Sequence, residues 1–70
     1  MEEMGMRTIV ELKINVMFEM LSKAIEQRIA ESRYWKLLGY LSMADSLGII
    51  TVEEREYIER AAVTCICALF

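Results

Sequence analysis

The chain contains no proline and no histidine, only three glycines and two cysteines, and 9% aromatic residues among its 70 positions. Without histidine, and with two cysteines, a closed four-ligand zinc site of cysteine and histidine cannot be assembled within one chain. The residue most often used as a general base is also missing. Cys65 and Cys67 are separated by one residue, which on a helix points them about 200° apart and excludes a bridge between them there. Both read as reduced, packed thiols in a reducing compartment, and neither has an activating base nearby in sequence. The sequence has no glycine-rich phosphate loop and no carboxylate pair flanked by a recognisable pocket. These absences argue against an enzyme and against any cofactor or metal.

Membrane and export signals are equally sparse. Met1-Glu2-Glu3-Met4-Gly5-Met6-Arg7 lacks a basic region followed by an apolar run, so it does not read as a signal peptide. The longest apolar stretch, Cys65 to Phe70, falls far short of the roughly 20 residues that span a bilayer. Cys67-Ala68-Leu69-Phe70 matches a prenylation pattern, but no polybasic stretch precedes it to supply a second membrane signal. The expectation is a cytoplasmic protein without a membrane anchor.

What remains is rich in apolar residues: 56% hydrophobic and 27% charged, with a net charge of −3. This length permits one small domain over residues 1–70, with 1–7 expected to fray. A chain so short buries only about 60% of its unfolded surface, and its core rarely supplies more than about 3–5 kcal/mol. Oligomerisation is the simplest added stabilisation. The acidic balance argues against a phosphate-backbone binder.

The patterning predicts an all-α domain of three helices, at about 9–30, 33–47 and 52–69. Thr8-Ile9-Val10-Glu11 has capping-box spacing, and Val10, Ile14, Met17, Phe18, Leu21, Ala24, Ile25 and Ile29 follow on one face. Ser32 is the expected N-cap of the second helix, whose inner face is Leu37, Leu38, Leu41, Ala44 and Leu47. Gly48 then suits a left-handed C′ position, Ile49 the apolar contact of a Schellman motif, and Thr51 with Glu54 a second capping box. The third helix presents Ile58, Ala61, Ala62, Cys65 and Leu69 to the core. One alternative stays open: Val10 to Val16 alternates apolar and polar residues, the signature of a strand, which would have to pair with another subunit, with helices behind it.

Apolar surface exceeds what one core needs. Ile9, Leu12, Val16 and Met20 form a second stripe on the first helix, and Val63, Cys67 and Phe70 do so on the third. A helix apolar on two sides must be buried on two sides, so these residues are the expected oligomer interface. Arg33, Tyr34 and Trp35 are the only place where basic and aromatic residues interleave. They read either as a partner hot spot or as a cover over the end of the core, with base stacking a lesser option. Met43 to Ile49 matches the first half of a helix-turn-helix, but the helix that follows carries Glu53, Glu54, Glu56 and Glu59 against Arg55, a poor reader of phosphate.

The functional expectation is a small non-enzymatic protein-interaction module, an adaptor, inhibitor or regulator, that self-associates through apolar helix faces. The alternative is a nucleic-acid-linked regulator, either a DNA-binding β-ribbon dimer or an acidic nucleic-acid mimic such as a phage or mobile-element inhibitor.

Overall fold

A computed structural model describes residues 2–70, with side chains from residue 5 onward. Helix α1 spans Glu2–Ser22, α2 Gln27–Ser46 and α3 Val52–Leu69. All three pack against one another. Arg33 of α2 reaches the end of α1, while Arg7 of α1 reaches the turn before α3, so α2 runs antiparallel to α1 and α3. Among the described residues no strand occurs.

The core is made of small and medium aliphatic groups: Val10, Ile14 and Leu21 from α1, Leu37, Leu41 and Ala44 from α2, and Ala62 from α3. Alanines at the contacts let the helices approach closely, while Leu21, Leu37 and Leu41 fill the volume between them. Tyr34, Ile58 and Cys65 pack around this centre, half-buried.

The joint between α2 and α3 forms as its sequence predicts. Gly48 takes φ 73°, a conformation that favours glycine because a Cβ there crowds the backbone. The Ile49 N–H donates to the Ala44 carbonyl and the Gly48 N–H to that of Asp45, each at 2.9 Å. These are the two bonds of a Schellman motif. The Glu54 N–H then donates to Thr51 Oγ1 at 3.0 Å, and the Thr51 N–H donates back to Glu54 Oε1 at 2.8 Å. Both bounds of α3 coincide with those expected.

The first half of the chain departs from expectation in three ways. Thr8 caps nothing: α1 begins at Glu2 and runs through it, because the preceding residues continue the helix and Arg7 Nε takes Glu11 at 2.8 Å. Residues 2–7 thus belong to α1, and Met1 lies outside the described residues. The joint with α2 falls at 23–26 rather than near Ser32, which lies inside α2. Here Glu26 is the N-cap and makes no side-chain capping bond. Ile25, expected in the core, is therefore in the turn and 84% exposed.

The strand alternative is resolved in the same region. Residues 10–16 are helical. Their alternation consists of two interleaved i,i+4 pairs: Val10 and Ile14 are buried, while Leu12 and Val16 are exposed, about 200° around the axis. What resembles a strand signature is a helix apolar on two faces.

Candidate interaction surface

The second stripes lie on the outside of the bundle. Ile9, Leu12, Val16 and Met20 are 47–65% exposed, and Val63, Cys67 and Phe70 are exposed as well. A run of large apolar side chains along a helix, left in water, is the kind of surface that marks a contact. Leu47 and Leu69, expected to be core, are also exposed: α2 ends before Leu47, and Leu69 is the last residue of α3.

The two stripes do not share a face. Val16 and Met20 border the groove between α1 and α2, together with Met17, Lys13, Arg33 and Lys36. Val63 borders the groove between α2 and α3, beside Tyr34, Glu56, Glu59 and Arg60. Helix α2 stands between them.

A third groove, between α1 and α3, was not visible in the sequence. Ile14, Ile50 and Ile58 line it, with Tyr57 at its edge and Arg7, Glu11, Glu53 and Glu54 among its polar groups. Its volume is about 480 Å³. Periodicity identifies Ile14 and Ile58 as core residues, but whether core residues close over one another or leave a groove depends on the packing of two helices distant in sequence.

Charge is sorted around α1. On its α3 flank, Arg7 bonds Glu11 and Glu54 and donates from Nη1 to the Ile49 carbonyl at 2.9 Å. Those carboxylates raise the Arg7 pKa above its ordinary value. Glu54 is held below the usual carboxylate range, first by the Thr51 N–H and then by Arg7. On the α2 flank, Lys13, Arg33 and Lys36 line a groove to which no carboxylate contributes. Between α2 and α3, Arg55 bonds Asp45 at 2.7 Å and Glu59 at 3.1 Å, and its pKa is raised, chiefly by Asp45.

The Arg33-Tyr34-Trp35 cluster is divided by the fold. Arg33 Nη1 donates to the Met20 carbonyl at 2.6 Å, satisfying one of the last-turn acceptors of α1 that have no partner within the helix. Tyr34 packs on the core. Trp35 touches the Tyr34 ring edge to face at 5.4 Å but is 67% exposed, so it does not cover the core.

Among the described residues, no three His, Cys, Asp or Glu side chains gather as a metal site would require. None of the described helices is long and apolar enough to cross a membrane. Comparison of the chain with protein-family models, with curated proteins and with solved structures gives no match.

Proposed function

We propose that this protein acts by contact, as a small non-enzymatic module that self-associates through its exposed apolar faces. The principal contact is the strip Ile9, Leu12, Val16 and Met20. The observation that carries this reading is the exposure of that strip on a small domain whose core leaves so much apolar surface uncovered. A core of this size yields only about 3–5 kcal/mol, and the strip adds stabilisation only when another surface covers it.

Such a module works as an adaptor, inhibitor or regulator, its assembled form presenting a surface that a single copy lacks. Trp35, exposed on α2, is the anchor a further protein partner would use, since tryptophan is enriched among residues that dominate interface energies. The setting that fits is the cytoplasm, where Cys65 and Cys67 remain thiols.

The test is the doubly substituted Leu12→Glu/Val16→Glu chain, compared with the parent by sedimentation and far-ultraviolet circular dichroism. Both side chains are more than half exposed, so the expected result is retained helicity with the mass reduced to 8.1 kDa. A parent chain already at that mass at every concentration overturns the reading.

A further inference from the structure

We infer that the self-contact is head-to-tail: the apolar strip of α1, with its basic flank, seats in the α1–α3 groove of a second copy of this chain. The inference rests on the self-association proposed above and specifies its geometry.

Three observations lead to it. The first is charge. Lys13, Arg33 and Lys36 line the α1–α2 groove beside Val16 and Met20, with no carboxylate among the lining residues. A two-fold contact that set this strip against itself with the two copies of α1 antiparallel would bring those cations towards their own copies, and like charges across an interface are costly. Covering the strip calls for an apolar surface rimmed with carboxylates.

The second is that the chain carries such a surface. In the α1–α3 groove, Ile14, Ile50 and Ile58 form an apolar floor, and Glu11, Glu53 and Glu54 stand against the single guanidinium of Arg7. Glu11 and Glu54 already hold Arg7, so Glu53, which has no cation partner among the described residues, is available to an incoming Lys or Arg. Tyr57, 69% exposed at the edge of the groove, offers an aromatic wall. The groove beside Val63 is a poorer acceptor: its Glu59 is engaged by Arg55, and its Glu56 shares the groove with Arg60, whose charge, unlike that of Arg7, no carboxylate among the described residues pairs.

The third is placement. The basic strip and the acidic groove lie on flanks of α1 about 160° apart at 100° per residue. One molecule can therefore give its strip to one neighbour and receive a strip from another. A contact between two different patches is heterologous and either closes into a ring or continues as a chain. The charge sorting of a chain with a net charge of −3 thereby acquires a use: it sets which patch meets which.

Complementation tests this directly. One variant loses the strip, Leu12→Glu/Val16→Glu; the other loses the groove rim, Glu53→Lys/Tyr57→Lys. All four positions are exposed, and circular dichroism checks that both variants remain helical. Each alone is expected to associate at least about 30-fold more weakly than the parent. Mixed, the strip-deficient chain still offers a groove and the groove-deficient chain still offers a strip, so they should form a 1:1 complex of twice 8.1 kDa that grows no further. Association of the parent should also weaken in high salt, which screens opposite charges.

If the groove variant associates like the parent while the strip variant does not, or if the mixture stays monomeric, the head-to-tail geometry is wrong and self-association stands. If the parent is monomeric throughout, both fall.

Discussion

The turn between α2 and α3 carries a glycine at φ 73°, both bonds of a Schellman motif and a complete capping box. It is further tied by Arg7 to the Ile49 carbonyl and by Arg55 to Asp45. The turn at 23–26 carries little of this. Its N-cap Glu26 makes no capping bond, and its side-chain help is Ser22 Oγ donating to the Glu19 carbonyl at 2.7 Å and Arg33 donating to that of Met20. The first of these turns is specified by its own residues. The second is held by what lies beneath it: Leu21, Ala24 and Ala30, all buried. A protein can thus fix one corner by local hydrogen bonding and another by tertiary packing, and the two corners should fail in different ways.

The largest effect is expected where packing acts alone. Leu21→Ala removes a fully buried side chain at the end of α1 and should cost about 2–5 kcal/mol. That approaches the whole stability of a domain this size, and urea denaturation of the purified variant would measure it. At the other turn, Gly48→Ala meets no atom within 4 Å of the added Cβ, so its cost is conformational, about 1–2 kcal/mol, read as a lowered denaturation midpoint with unchanged slope. Thr51→Ala removes one side of the capping box and should cost about 1 kcal/mol.

Acid should act on the turn between α2 and α3 before the turn at 23–26. The Glu54 pKa is lowered from 4.5 on folding, so its contribution is fully present above the ordinary glutamate value and is lost as pH falls through the lowered one. Glu54→Gln should therefore flatten the dependence of thermal midpoint on pH in the acid range below about 4.5. The smallest effect is a gain. Glu26→Asp places a good N-cap where the turn at 23–26 has none and should stabilise by about 0.5–1 kcal/mol; the Glu26–Arg28 contact it removes is solvent-exposed, at 3.8 Å.

The same contrast explains what could be read in the sequence. Gly48, Thr51 and Glu54 perform chemistry within a few residues of themselves, so the end of α2 and the whole of α3 were legible. Lys23, Ala24, Ile25 and Glu26 include no glycine, proline or short polar cap, and the apolar periodicity of α1 continues through them. Nothing local marks the break. Thr8 and Glu11 have the right spacing for a cap, but Arg7 one residue earlier claims Glu11. The exposed strip was visible as surplus periodicity. The α1–α3 groove was not, since it exists only once Ile14, Ile50 and Ile58 from distant parts of the chain come together.

Self-association as proposed requires that the apolar strip of α1 be covered by another copy of the chain. Light scattering coupled to size exclusion, over a range of loading concentrations, tests it most directly. Cover of the strip by a second copy gives a mass that rises with concentration above 8.1 kDa. A mass that stays at 8.1 kDa at every concentration would contradict it.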